Sequence, residues 1–351
     1  MPLSVLSFFV SFILCLAITP AVIRFASRRK WFDQPDWRKI HSDEIPRLGG
    51  VAIMGALLIT VLLLAGAETL LAGRYFLAGL LMLFFIGLWD DLQPMRPVYK
   101  LVGEFIPVLL LSYSARIPIC SVFPELQGME MLEWPLTMVI VFWSVNAFNL
   151  IDGINGLAGT IGFLSLLGMS FWGGEQVINL ALPMAGAILA FLFFNFIRPQ
   201  IFMGDCGSLP IGYMVAFALT QLFPAGQQSE SSKMLCFASI GLLALPLFDM
   251  VRVFFIRIAK RKNPFKGDRN HLHHLLLELG FSHAWATLLL ASLSLITACI
   301  AGFSSSFFTR FDLAFWPVMA ITTASLLVFT AVVWLRVRKV RVVCNTINGS
   351  L

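Results

Sequence analysis

The sequence predicts an all-α polytopic membrane protein of about eleven transmembrane helices, and three observations carry that prediction. Hydrophobic residues make up 58% of the 351 and charged residues 13%, against about a half and a quarter in a water-soluble chain. Mean hydropathy is +0.85, so the chain has too little polar surface to cover itself in water. Apolar runs of helix-spanning length recur from end to end. The lysines and arginines collect in alternate loops between those runs.

The runs fall near residues 3–23, 49–72, 75–92, 98–114, 134–150, 155–173, 178–197, 208–223, 235–256, 286–303 and 314–335. Runs 98–114 and 208–223 are short for a crossing of about 20 residues. Backbone groups in lipid must bond within their own segment, which makes each run a helix, and the alternation expected of a membrane barrel is missing. The first run has no basic residue before it, whereas Arg24, Arg28, Arg29 and Lys30 follow it. That order reads as a retained first span, because a cleaved signal would carry its positive charges in front. Of the 25 Lys and Arg, 21 lie in one set of loops; Arg74, Arg116, Lys233 and Arg310 lie in the other. The positive-inside rule places the first set in the cytoplasm, with a periplasmic N-terminus and a cytoplasmic C-terminus. The net charge of +6 is then a consequence of topology and calls for no nucleic-acid partner. Six scattered cysteines without a CxxC pair predict neither a disulfide framework nor a zinc site. No linker or repeat divides the chain, which reads as one domain over 1–351.

The unusual polar residues gather at the expected cytoplasmic ends of the spans. In "GLWDDLQP", Asp90 and Asp91 close the third span; adjacent carboxylates repel unless a cation is near, although a solvated helix end would also explain them. Lys100, ten residues on, could return to that site as a phosphate partner. Glu104 lies one turn beyond it, so a simple i,i+4 pair is the competing reading. In "NAFNLIDGINGLAG", Asn146, Asn149 and Asp152 share one helical face, and Asn155 follows. Such groups at a membrane boundary are costly unless they bind something; hydrogen bonding between helices is the alternative. In "FMGDCGSLPIG", Asp205 stands between two glycines that would let backbone approach a phosphate or metal, and Ser208 reads as a helix N-cap. In "GDRNHLHH", Asp268, Arg269, His271, His273 and His274 crowd one loop. Arginine beside histidine suits a diphosphate better than zinc, and a solvated basic loop would look the same. Together these groups supply hard oxygen ligands, phosphate-binding cations and a lipid-facing location, the equipment of Mg²⁺-dependent phosphoryl transfer.

With "RKIHSDEIPRLGG" (38–50), "PLFD" (246–249) and "NPFKGDRNHLHHLLLELG" (263–280) added, the chain resembles the polyprenyl-phosphate N-acetylhexosamine-1-phosphate transferases. The likeness is strongest to bacterial enzymes that start O-antigen and enterobacterial common antigen synthesis on undecaprenyl phosphate. The resemblance implies a ten- or eleven-helix fold, a cytoplasmic active site in the inner membrane, Mg²⁺ (which Mn²⁺ could replace), a UDP-sugar donor and a homodimer. It also implies roles. Asp205 resembles the principal metal ligand and Asn149 a supporting one. Asp90 and Asp91 match the acidic pair, and Lys100 matches a phosphate-binding lysine. Asp152, Asn155 and Phe202 match positions near the uracil ring. Arg269, His271, His273 and His274 match the loop that reads sugar and diphosphate, and Asp249 a position behind it. Leu272 interrupts the three consecutive histidines of the related phospho-MurNAc-pentapeptide transferase, which favours a plain N-acetylhexosamine. GlcNAc leads, with GalNAc, FucNAc and QuiNAc open. The reaction expected is attack by the lipid phosphate on the β-phosphorus of the UDP-sugar with loss of UMP, and a two-step route through a phosphorylated aspartate is the open alternative. A transporter of an anionic solute or lipid is the competing class, but its site would lie near the bilayer midplane between repeated halves.

Overall fold

The computed structural model describes residues 3–32, 45–118, 127–225, 229–263, 269–308 and 310–348. Asp268 and positions 38–44 of the "RKIHSDEIPRLGG" block lie outside the described residues. All regular structure among the described residues is helical. The helices are α1 (Leu3–Arg29), α2 (Gly49–Leu64), α3 (Ala67–Ala72), α4 (Arg74–Leu92), α5 (Pro97–Ser114), α6 (Glu133–Ile151), α7 (Leu157–Ser170), α8 (Gly174–Asn195), α9 (Asp205–Ala225), α10 (Glu230–Ala259), α11 (Leu272–Glu278), α12 (His283–Ser305) and α13 (Phe311–Asn348). A 3₁₀ turn, Glu130–Leu132, leads into α6.

Ten of the eleven apolar runs each fall on one helix, and among the described residues eight helices are long and apolar enough to cross a membrane: α1, α4, α6, α8, α9, α10, α12 and α13. The run 49–72 differs from the expected single span. It breaks where Ala65 turns to extended backbone and Gly66 leads into α3, so α2 keeps 16 residues, about 24 Å of helix. Local chemistry sets several ends. Pro97 occupies the first turn of α5, where a missing N–H costs nothing. Ser229 and Ser282 cap α10 and α12, accepting the N–H groups of Ser232 and Trp285.

One helix organises the rest. α9 packs against α2, α4, α6 and α7, and 94% of its spanning window is buried. Tyr213 at its middle stacks on Phe76 of α4 and donates its hydroxyl to the Pro107 carbonyl of α5 at 2.8 Å. Around this axis α1 leans on α2 and α8, and α10 pairs with α12. The N-terminal end of α9 is where the polar residues meet.

Candidate active site

Two chain segments distant in sequence are laced together first. Phe202 N–H donates to Pro46 O at 2.8 Å, Gly49 N–H to Phe202 O at 2.9 Å and Gly50 N–H to Met203 O at 2.8 Å. The lacing seats the start of α2 on the loop before α9. Gly204 turns that loop with φ +72°, a left-handed conformation that a side chain would strain; a Cβ there would also lie 2.2 Å from Arg47 O. Gly50 and Gly87 meet the first turn of α9 closely. A Cβ on either would come within 2.5 Å of backbone atoms of residues 205–207.

The exposed N–H groups of that first turn are answered from α4. Asp91 accepts Asp205 N–H on Oδ1 and Cys206 N–H on Oδ2, both at 2.9 Å. A carboxylate at a helix N-terminus also faces the positive end of its dipole. Asp91 therefore holds the helix that carries Asp205. Ser208 is not the N-cap expected from sequence, because α9 begins three residues earlier; its hydroxyl instead accepts Asn149 Nδ2 at 3.1 Å.

In front of this cap, four helices bring one side chain each to a common point. Lys100 Nζ of α5 pairs with Asp205 Oδ2 and reaches Asp90 Oδ2 and Asn149 Oδ1, each at 3.4 Å. Asn149 Nδ2 donates to Asp205 Oδ1 at 2.9 Å. Asp90 is fixed in turn by Met95 N–H at 2.6 Å. Lys100 thus serves the cluster, and Glu104 takes a different partner, accepting Asn146 Nδ2 at 2.8 Å in a buried position. The carboxylate and amide oxygens of Asp90, Asp205 and Asn149 converge on one cation. That donor set suits a hard divalent ion, which takes a few protein oxygens and completes its shell with substrate phosphates. Among the described residues, no group of three His, Cys, Asp or Glu side chains is arranged to hold a metal.

The cluster opens into a cavity of about 390 Å³. Asp90, Lys100, Asn146 and Asn149 line its polar end. Apolar side chains of α5, α6 and α10, such as Leu101, Trp143, Met250 and Phe254, line the remainder, with Arg257 also on the wall.

Beside the cluster, the loop after α6 is fastened from two sides. Gly156 N–H donates to Asn195 Oδ1 at 2.7 Å, and Asn195 Nδ2 donates to Ile201 O at 2.8 Å. The buried Asn155 gives its carbonyl to Thr287 Oγ1 at 2.8 Å and its N–H to His283 Nδ1 at 3.4 Å. Asp152 lies at the head of this loop. Burial pushes its carboxyl well above the usual carboxylate range; Asp205 and Asp91 add to the rise, while Arg47 and the Gly204 N–H oppose it. Arg47 acts electrostatically on Asp91, Asp152 and Asp205 together.

The histidine loop packs against α10 and the Asp152 loop. His271 donates Nδ1–H to Asp249 Oδ2 at 2.9 Å. Asp249 also accepts Leu272 N–H at 3.2 Å and Arg252 Nη2 at 2.6 Å. His273 is 2% exposed and faces Gly153, where a Cβ would lie 2.3 Å from its Nε2. Burial, with His274 and His271 beside it, pushes its imidazole well below the ordinary histidine range. Arg269 is exposed and His274 half-buried.

Of the residues expected from sequence, Asp90, Lys100, Asn149 and Asp205 are joined directly, and Asp91 stands behind them. Asp152 and Phe202 flank the cluster through Arg47 and Gly204. His271 and His273 lie on the α10 side, tied to Asp249 and packed at Gly153. Arg47 was missed as a site residue: sequence offered only a basic residue ahead of a double glycine, with nothing to show which carboxylates it would face.

A family model described as Glycosyl transferase family 4 matches residues 74–223, a stretch that contains the whole Asp90–Lys100–Asn149–Asp205 cluster. The chain is 32% identical to the probable undecaprenyl-phosphate N-acetylglucosaminyl 1-phosphate transferase of Bacillus subtilis (strain 168), over 82% of this chain and 80% of that protein. It is 28% identical to the undecaprenyl-phosphate alpha-N-acetylglucosaminyl 1-phosphate transferase of Escherichia coli (strain K12), over 76% and 75% of the two chains. The protein of the same name from Yersinia pestis is 27% identical over the same shares.

Proposed function

Because this chain belongs to glycosyl transferase family 4, we propose that it transfers N-acetylhexosamine 1-phosphate, most simply GlcNAc-1-phosphate, from a UDP-sugar to undecaprenyl phosphate. The observation that carries the reading is the meeting of Asp90, Asn149 and Asp205 on Lys100 at the head of an apolar cavity. An amphipathic acceptor needs that combination: apolar wall for an isoprenoid chain, and fixed charge for its phosphate. The relatives' names support the acceptor and the sugar.

In this mechanism an oxygen of the lipid phosphate attacks the β-phosphorus of the UDP-sugar. The bond from that phosphorus to the bridging oxygen breaks, and UMP leaves with the oxygen. A phosphate monoester is largely dianionic near neutral pH, its second pKa being about 6, so little base assistance is required and Asp90 serves mainly to place the acceptor. Asp205 and Asn149 would hold Mg²⁺, which supplies charge neutralisation on the diphosphate. Lys100 steadies phosphate oxygens as charge moves to the leaving UMP. Asp152, whose carboxyl burial pushes toward its protonated form, would hydrogen-bond the uracil ring beside Phe202. In the same proposal all eleven apolar helices traverse the bacterial inner membrane, the site faces the cytoplasm, and two copies pair. The product would start a lipid-linked surface polysaccharide of the O-antigen kind.

The test is UMP release by purified protein given undecaprenyl phosphate, Mg²⁺ and a panel of UDP-sugars. Release should require lipid and metal together, and Asp205→Ala should reduce it by at least about a thousand-fold. Folded protein that releases no UMP with any donor would return the transporter reading. Full activity of Asp205→Ala would refute the metal assignment.

A further inference from the structure

Arg257 has no part in the cluster around Lys100, yet it lines the same cavity. It sits at the C-terminal end of α10 with 5% of its surface exposed. Its Nη2 donates to His271 Nε2 at 3.4 Å, and the other nitrogen of that ring is bonded to Asp249 at 2.9 Å. Both neighbours have fixed roles, since a carboxylate only accepts and a guanidinium only donates. The ring must then carry its proton on Nδ1 and its lone pair on Nε2. Asp249 is itself clamped by Arg252, which also bonds Asn270 O at 2.5 Å. A buried chain therefore runs from Asp249 through His271 to Arg257, whose side chain lines the cavity.

We propose that Arg257 is the cation that grips the acceptor's phosphate, and that Asp249 and His271 are positioning residues that aim it. The inference rests on the transferase reading and deepens it. Lys100 is shared among two carboxylates and an amide at the polar end of the cavity, and in the transferase reading it serves the diphosphate of the donor. A lipid phosphate entering beside Asp90 brings nearly two further negative charges and needs a second cation. A guanidinium presents five N–H donors in one plane, so one edge can hold the histidine while another forks two phosphate oxygens. Phe254 and Phe255, on the turn of α10 before Arg257, share the cavity wall and would flank the chain carrying that phosphate. On this reading His271 acts on the lipid side, through Arg257, and does not contact the sugar itself.

The experiment is steady-state kinetics of the purified full-length protein, varying undecaprenyl phosphate and UDP-GlcNAc separately. Arg257→Gln should raise KM for the lipid by roughly ten-fold or more, the loss expected for a charge-assisted phosphate contact, and leave KM for UDP-GlcNAc within about two-fold. Arg257→Lys should recover part of the loss. His271→Phe keeps the ring and removes both hydrogen bonds, so it should raise the same KM by a smaller factor. The double variant should be no worse than Arg257→Gln alone, because His271 works through Arg257. An unchanged lipid KM in a folded Arg257→Gln protein overturns the inference and leaves the transferase reading intact, as does a rise confined to the UDP-sugar. Wild-type protein that turns over no UDP-sugar with any polyprenyl phosphate defeats the transferase reading and takes this inference with it. If Arg257→Gln does not fold, the Arg257→Lys and His271→Phe variants decide by the same KM comparison.

Discussion

Helices α9 and α13 invert the relation between hydropathy and burial found in soluble proteins. α9 is the least apolar of the eight described helices long and apolar enough to cross a membrane, and 94% of its window is buried; α13 is among the most apolar, and 28% is buried. In lipid the outer helix meets hydrocarbon and must be apolar all round, whereas the inner helix meets other helices and can carry Ser208, Tyr213 and Thr220 in satisfied positions. Small residues do there what large apolar ones do in a soluble core. Gly212 of α9 lies so near Ser144 and Val145 of α6 that a Cβ would come within 2.8 Å of their backbones. The polar content of a span thus marks the interior, and the interior is where the chemistry sits.

The contrast can be broken most forcefully at Gly50. Gly50→Val places side-chain atoms where Cys206 and Gly207 backbone already lies, the first contact being 2.2 Å. It should cost about 1–3 kcal/mol or more and remove UMP release with it, seen as a lowered melting temperature in detergent and a loss of turnover. Normal stability and rate would mean that α2 and α9 do not meet as described. A smaller effect is expected at Asp91. Asp91→Asn replaces one acceptor oxygen by a donor facing a backbone N–H, leaving a partly buried group unsatisfied at about 1–3 kcal/mol. Turnover should fall roughly 10- to 100-fold with both KM values changed far less, because the variant displaces Asp205 without touching substrate. A change confined to one KM would reassign Asp91 to substrate contact. The smallest effect belongs to α13, where Val328 is 66% exposed. Val328→Ala should shift stability by less than about 0.5 kcal/mol and leave activity unchanged; a larger loss would reveal a protein partner on that face.

Much of this arrangement was legible in the sequence because the bilayer imposes long apolar runs, and any polar residue at their ends stands out. Asp90, Asn149 and Asp205 could be picked as a group for that reason. What could not be read were partners. Lys100 had two plausible neighbours, and the nearer in sequence, Glu104, goes to Asn146 instead. Asp91 looked identical to Asp90, yet one faces the cluster and the other caps a helix 114 residues away. Ser208 resembled a cap because the sequence conceals that Asp91 already answers those N–H groups from another helix. Arg47 and Arg257 looked like ordinary cytoplasmic positive charges, since topology alone accounts for a basic residue at a span's end. The break in the 49–72 run was equally hidden: Ala65 and Gly66 are apolar enough to continue a hydropathy plot.

The lacing of residues 46–50 to residues 202–203 has a consequence for synthesis. The start of α2 leaves the ribosome long before its partner exists, and at 5–20 residues per second the interval is roughly ten to thirty seconds. Throughout that time α2 must wait in the membrane beside helices that cannot complete its contacts. A chain arrested before residue 202 would hold Asp90, Asp91, Lys100 and Asn149 without the loop and helix that bring them together. Assembly of the centre is therefore a late event in the life of the nascent chain, timed by the arrival of α9.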